Sequence, residues 1–321
     1  MRWATAHRRR LEPESLLPLS EVLAAKRRLR PFLDETPTVF SERHDAFFKL
    51  ETQQETGAYK VRGALNALLK HVESRDPRPI VAASAGNHGA AVAWAASHLG
   101  LHCCIVVPED APQAKIDRIV SMGGRVIRHG EHFQESLLWA RKWAFAHGAR
   151  FLHAFDDVDV MAGQGTVALE LLPYQPDVVI LPIGGGGLIS GCVPVLQAAG
   201  IRIIGVQVEG VDAMRRALNG GKSRIQPLPT VADGLRVAQA SRLAVQICAQ
   251  GVEEILLVTE DSVRATMASL ARHEGWKVEG AGAVGVAALE RIQGNRRAVL
   301  LSGSNVDDSV LQDVLRTNAT D

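Results

Sequence analysis

Short β-branched runs alternate along the chain with longer stretches whose apolar positions recur at helical spacing. The runs Ile80-Ala83, Cys103-Val107, Arg125-Arg128, Val178-Pro182, Ile201-Val208 and Ala298-Leu301 predict strands. Helices are predicted over Asn87-His98, Pro112-Met122, His132-Ala146, Ala162-Leu172, Leu188-Ala199, Asp261-His273 and Ala281-Ile292. Pro112 at a helix start, and Gly123 and Gly148 just past two helix ends, match the usual asymmetry of helix termini. Alternating strands and helices predict a parallel sheet covered on both faces, an α/β fold. No internal repeat or low-complexity linker marks a domain boundary.

Composition narrows the class. The 321 residues are 46% hydrophobic, enough for a large core and for two lobes. A formal net charge of +1 leaves no electrostatic footprint for nucleic acid, and Arg8-Arg9-Arg10 is too short to change that. That run reads as a solvated tail. Pro79 to Pro108 and Val178 to Ile201 lack charged residues for long enough to raise the question of a membrane span. Their glycines, with Asn87 and histidines in the first and prolines in the second, divide each into strand, glycine loop and helix. The N-terminus lacks a secretory hydrophobic segment. A soluble cytoplasmic protein with no membrane or nucleic-acid partner is expected. Cys103, Cys104, Cys192 and Cys248 have no metal-ligand spacing and read as reduced packing residues.

Four segments carry chemistry. Gly184-Gly185-Gly186-Gly187 follows an apolar strand and opens a helix at Leu188. Such a loop lets backbone N–H groups converge on a phosphate at a helix N-terminus. A dinucleotide fingerprint needs glycines at its first, third and sixth positions, and no frame here supplies them. Glu209 imitates the ribose-binding acid of that fold, so a dinucleotide-binding oxidoreductase survives as a remote alternative. Lys60 sits among Ala58, Tyr59, Val61, Gly63 and Ala64, in partly buried company that favours a neutral, Schiff-base-forming amine. Taken alone it reads as a surface helix lysine. Ser84-Ala85-Gly86-Asn87-His88 joins a strand to a helix and offers an anion its backbone donors and the Ser84 hydroxyl; ordinary capping by Ser84 or Asn87 explains it equally well. His88 by itself reads as structural. Ser302 follows a strand and can donate to a heterocycle nitrogen, while Asp233 and Glu279 read singly as solvated-loop acids.

Together and in this order, these segments resemble the fold-type-II pyridoxal-phosphate family of threonine and serine dehydratases and serine racemases. The likeness runs from about Leu29 to Asp308 and includes His153-Ala154-Phe155-Asp156-Asp157, Ala162-Gly163-Gln164-Gly165-Thr166, and Val278-Glu279 with Gly282-Ala283. It implies a tryptophan synthase β-like fold of two open parallel-sheet domains with helices on both faces. The large cofactor-binding domain would be 1–78 plus 155–321, and the small mobile substrate domain 79–154. The implied cofactor is pyridoxal 5′-phosphate, with Lys60 as the catalytic lysine that carries it and Tyr59 in place of a ring-contacting Phe. Gly184, Gly185, Gly186, Gly187 and Leu188 then match the phosphate loop, and Ser302 the pyridine-nitrogen partner. Ser84, Ala85, Gly86, Asn87 and His88 match the substrate-carboxylate loop, with Asn87 also near the cofactor O3′. The family habit is a homodimer.

The implied activity is β-elimination on a β-hydroxy amino acid such as L-threonine or L-serine, giving a 2-oxo acid and ammonia. Departures shape that expectation. Serine racemases of this type carry a second Ser where this chain has Ala85, so racemisation should be minor. Arg215 stands in place of one acid of the family's cation site, opposite Glu209, and its charge can replace the ion's, so no metal is expected. The stretch after Asp308 is too short for the regulatory domain of biosynthetic threonine dehydratases. Ala58, Ala90 and Gly280-Ala281 depart from common family residues and leave the substrate side chain open. Hydroxyaspartate, an arylserine or an ectoine-derived hydroxy acid remain alternatives, beside racemisation, β-replacement and a non-catalytic sensor.

Overall fold

The computed structural model describes residues 16–222 and 224–318, so the Arg8-Arg9-Arg10 run lies outside the described residues. In chain order come α1 (Leu19–Leu29), β1 (Thr38–Ser41), β2 (Ala46–Leu50), α2 (Lys60–Glu73), β3 (Ile80–Ala83) and α3 (Asn87–His98). Next are β4 (Cys103–Val107), α4 (Gln113–Ser121), β5 (Arg125–Arg128), α5 (Phe133–Ala146), β6 (Arg150–Phe151) and α6 (Val158–Leu169). The remainder is β7 (Val178–Pro182), α7 (Gly187–Ala198), β8 (Arg202–Val208), α8 (Ala213–Leu218), α9 (Arg242–Gly251), β9 (Glu254–Val258), α10 (Glu260–His273), α11 (Gly280–Ala287), β10 (Arg297–Leu301) and α12 (Asp308–Thr317).

The strands form two sheets. One has six strands in the order β1-β2-β10-β7-β8-β9, parallel except for the β1–β2 pair. The other has four parallel strands in the order β5-β4-β3-β6. Successive residues of a strand point to opposite faces, which explains why runs such as Val178–Pro182 are apolar throughout. Val178 and Ile180 enter a core shared with α10, α11 and α12, whereas Val179 and Leu181 enter one shared with α1, α6, α7 and α9. In the smaller sheet Ile80 and Ala82 pack toward α2, α3 and α4, and Val81 and Ala83 toward α5. Helices on both faces of parallel sheets is the α/β architecture expected.

Local chemistry moves some predicted boundaries. The helix expected at Ala162–Leu172 begins at Val158, because the Asp157 carboxylate accepts from the N–H groups of Asp159 and Val160 and caps it. The one expected at Ala281–Ile292 ends at Ala287 and continues as a 3-10 turn over Leu289–Arg291. All four cysteines are free thiols, three of them buried. Among the described residues no helix is long and apolar enough to cross a membrane.

An ion cluster anchors α2 behind the sheets. The Arg62 guanidinium donates to Glu51 and to Glu170 at 2.6–2.9 Å, and Lys49 lies 2.7 Å from Glu170. Two buried cations face two buried carboxylates, and the part-exposed Lys26 also reaches Glu170 at 2.9 Å, so every buried charge is paired, the condition under which it is tolerated. Arg62 lies two residues beyond Lys60, so this cluster sets where Lys60 enters the space between the sheets.

Candidate active site

Three loops leave the C-terminal ends of parallel strands and meet in one cleft of about 670 Å3: Ser84–Gly86 after β3, Gly184–Gly186 after β7, and Ser302–Asp307 after β10. That is where open α/β sheets bind ligands. Every predicted residue from Ser84 to His88 and from Gly184 to Leu188 lines this cleft, together with Tyr59, Lys60 and Ser302.

Backbone bonds join Lys60 to Ser302. Ala58 bridges Gly303 in antiparallel fashion, and the Tyr59 N–H donates to the Ser302 carbonyl at 3.1 Å. Lys60 is the first residue of α2. Its Nζ donates to the Ala154 carbonyl at 3.2 Å and lies 5.1 Å from the Tyr59 ring centre. Ser302 is buried, yet its hydroxyl has no protein partner among the described residues. A hydroxyl left free in a cleft wall is suited to a ligand acceptor.

The glycine loop offers donors without acceptors. The first backbone bond into it runs from Ser190 N–H to the Gly186 carbonyl, so the N–H groups of Gly185 to Ile189 lack a backbone acceptor among the described residues. No side chain caps this end of α7. Gly186 adopts φ of 96°, a left-handed conformation that strains other residues. At Gly185 a Cβ would stand 2.3 Å from the Phe155 ring, so only glycine allows Phe155 to back the loop. Phe155 belongs to the His153–Asp157 segment of the family resemblance, which by itself gives it no role.

The α3 end is likewise uncapped. Neither capping role open to Ser84 or Asn87 is taken: the Ser84 hydroxyl accepts from Gly86 N–H at 3.2 Å, and no side chain caps the helix. The first bond into this terminus is Ala90 N–H to the Gly86 carbonyl, leaving the N–H groups of Asn87, His88 and Gly89 free of backbone acceptors. His88 is buried, and burial, with the Lys60 charge adding to it, pushes its pKa down to about 3. Its Nε2 meets the Leu152 carbonyl at 3.2 Å; because a carbonyl only accepts, Nε2 carries the proton. The imidazole is therefore neutral and turned to the protein, and what His88 offers an anion is its backbone N–H.

Glu279 corrects the expectation of a solvated loop. It is 5% exposed and lines the cleft, because α11 is built of small residues that pack the segment against the sheet. Both of its carboxylate oxygens accept from Asn87 Nδ2, at 2.9 and 3.0 Å. Burial pushes its pKa up to about 7, against the pull of the Asn87 bonds. Asn87 Oδ1 in turn accepts from Asn305 Nδ2 at 2.7 Å. Asp233 also lines the cleft, exposed and paired with Lys115 at 2.8 Å. Lys115 and Arg118, three residues apart on α4, carry no motif that marks them in the sequence. Their spacing puts them on one helix face, but nothing in the sequence says that face meets the cleft.

Uncapped N–H groups for an anion, an amine for an aldehyde and a free hydroxyl for a ring nitrogen fit pyridoxal phosphate and an amino acid together. The comparisons agree. Residues 29–303 match the model of the pyridoxal-phosphate dependent enzyme family. The chain is similar to the L-threonine ammonia-lyase of Thermotoga maritima, 35% identical over 314 residues covering 94% of this chain and 78% of that one. It is 34% identical to the catabolic L-threonine dehydratase TdcB of Escherichia coli over 306 residues, 90% of this chain and 93% of that one. Among solved structures, a pyridoxal 5′-phosphate-dependent aspartate racemase superposes with a TM-score of 0.87 at 30% identity, covering 94% of this chain and 99% of that one. The glycine cradle, the lysine and the serine thus stand in a chain that belongs to the pyridoxal-phosphate dependent enzyme family.

Proposed function

We propose that this enzyme removes water from a β-hydroxy-α-amino acid and releases a 2-oxo acid and ammonia. The reading rests on one observation: the Lys60 amine, the free Ser302 hydroxyl and the glycine cradle share a single cleft with the uncapped N-terminus of α3. The names of the threonine ammonia-lyase and dehydratase relatives support threonine as the first substrate to try.

The cradle Gly184–Leu188 would hold the cofactor phosphate, Ser302 its ring nitrogen, Tyr59 its ring and Asn87 its O3′ edge. When bound, pyridoxal phosphate supplies the sink for the electron pair left at Cα. Lys60 would hold the cofactor through its amine, and that same amine, at the cleft wall, is the group that would take the Cα proton. The N–H groups of Asn87, His88 and Gly89, with Ser84, fix the substrate carboxylate and so the direction of the Cα–H bond. Ser302, a neutral partner, would leave less positive charge on the ring than a carboxylate would, which would favour prompt loss of the β-hydroxyl. Ala85 supplies no hydroxyl to return a proton on the second face, so elimination outruns racemisation. A minor D-isomer product is the second reading, supported by the similarity to the aspartate racemase. Residues 79–154, which carry the four-stranded sheet, act as the small domain that closes over the substrate. The working form is a cytoplasmic homodimer with no membrane or nucleic-acid partner.

Ammonia and 2-oxo acid release from L-threonine and L-serine tests this. Lys60→Ala is expected to lower turnover by at least about 10^4-fold while the unfolding midpoint stays unchanged. A substantial residual rate in a folded variant would overturn the role given to Lys60.

A further inference from the structure

We infer that Arg118 sets the substrate class of this cleft: its guanidinium receives a second, distal carboxylate, so the preferred substrates are acidic β-hydroxy amino acids of the 3-hydroxyaspartate kind. This rests on the dehydratase reading and names its substrate.

Four cations besides Lys60 line the cleft: Lys115, Arg118, Arg236 and Lys277. Two already have carboxylate partners, Lys115 with Asp233 at 2.8 Å and Lys277 with Asp308 at 2.7 Å. Arg236 is exposed to solvent. Arg118 differs from all three. It is half-buried, and among the described residues no carboxylate comes within salt-bridge distance of it. Its single hydrogen bond goes from one NH2 group to the Thr56 carbonyl. A guanidinium has five N–H donors in a planar fork, and a neutral carbonyl engages one of them. The charge has no ion-pair partner where water is already partly excluded, an arrangement a bidentate carboxylate would improve strongly. Burial holds its pKa below the ordinary arginine value, against a smaller raising pull from the Glu279 carboxylate, which lies beyond ion-pair distance.

The position selects the ligand. The Thr56 carbonyl that Arg118 engages also accepts from Asn305, and Asn305 donates to Asn87, the first residue of α3. Arg118 therefore reaches from α4 to the wall beside the α-carboxylate site without belonging to it. The end of α3 serves one carboxylate, and a separate unpaired guanidinium calls for another. The nearby acids do not cancel it. Asp233 is taken by Lys115, and Glu279 is bound by Asn87 and holds its proton up to near neutrality. The reaction balances unchanged: the Cα–H and Cβ–O bonds break, one water leaves, and one returns on hydrolysis of the C–N bond. The products are a dicarboxylic 2-oxo acid and ammonia.

Calorimetric titration of the holoenzyme with L-aspartate and L-2-aminobutyrate tests the assignment. Both lack the β-hydroxyl and share the amino acid end, but only the first has the distal carboxylate. L-aspartate is expected to bind at least about tenfold more tightly, and Arg118→Ala or Arg118→Gln to abolish that difference. In turnover, the ratio of kcat/KM for 3-hydroxyaspartate over serine should fall about 100-fold in either variant. Equal affinity of the two ligands for the unaltered enzyme overturns the proposal. So does a loss that falls equally on both substrates, which would put the guanidinium on the α-carboxylate or on closure. If no hydroxy amino acid releases ammonia while L-aspartate still binds through Arg118, the dehydratase reading fails and the carboxylate site stands.

Discussion

Two clusters of polar side chains lie on either side of α2, and similar burial gives them opposite properties. Behind the helix, Glu170 is 4% exposed; in the cleft, Glu279 is 5% exposed. Burial alone would raise both carboxyl groups, yet Glu170 is held down at about 2, whereas Glu279 is pushed up to about 7. The difference lies in the partners. Glu170 faces the Arg62 guanidinium at 2.6 Å and the Lys49 ammonium at 2.7 Å, and these outweigh desolvation. Glu279 hydrogen-bonds one neutral amide, Asn87, with Asp233 adding like charge and Arg118 and Lys115 pulling the other way only from beyond ion-pair distance. Matched charges make scaffold, while a buried acid with no ion-paired cation holds its proton where a reaction can use it.

The largest effect should come from breaking the matched cluster. Glu170→Ala leaves Arg62 and Lys49 buried against Glu51 alone, and breaking a buried pair costs about 3–5 kcal/mol. Urea unfolding should report that loss. A change below about 1 kcal/mol would mean that water reaches the cluster and the contrast with the cleft is false.

The two glutamates should also act in opposite pH windows, with an effect on the order of 3 kcal/mol each. Glu170 has a folded pKa near 2, below its ordinary 4.5, so its contribution is complete above about pH 4.5 and is lost as pH falls toward 2. Glu279 has a folded pKa near 7, above its ordinary 4.5, so its contribution is present below about pH 4.5 and is lost as pH rises toward 7. Glu279→Gln should therefore flatten the stability curve of the cofactor-free protein between pH 4.5 and 7 and leave the acid limb alone. Parallel curves for the variant and its parent would remove the elevated proton affinity on which the comparison depends.

The contrast also marks what the sequence made legible. The strands β3, β4 and β7 stand at their predicted residues, because strands covered on both faces read as continuous apolar or β-branched runs, and the edge strand β5 stands at its own on the β-branched pair Val126-Ile127 alone. β2 escaped notice because Lys49 interrupts its run, and only the distant Glu170 makes a buried lysine acceptable there. In β9 the run Ile255-Leu256-Leu257-Val258 is equally compatible with a buried helical turn. At the site, the glycine loop, Lys60, Ser302 and the Ser84–His88 turn meet in one cleft, since each is a local motif with its own conformational demands. Glu279, Lys115 and Arg118 carry no such mark. Their burial and partners are set by how α4 and α11 dock, information that no short window of sequence contains.

Lys115→Ala should have the smallest effect, and it separates closure from scaffold. Its ion pair with Asp233 joins α4, which packs on the four-stranded sheet, to a turn that packs with α11 on the six-stranded sheet. The side chains are 27% and 59% exposed, so water and salt screen the pair and its removal should change global stability by less than about 1 kcal/mol. A contact of that strength can still bias how the two sheets meet over the cleft. Its loss should raise KM by about two- to fivefold with kcat nearly constant, the pattern of weakened uniform binding, and added salt should shrink the gap between variant and parent. If stability falls as steeply as in Glu170→Ala, this pair belongs to the scaffold, and the boundary between rigid and moving charge must be drawn elsewhere.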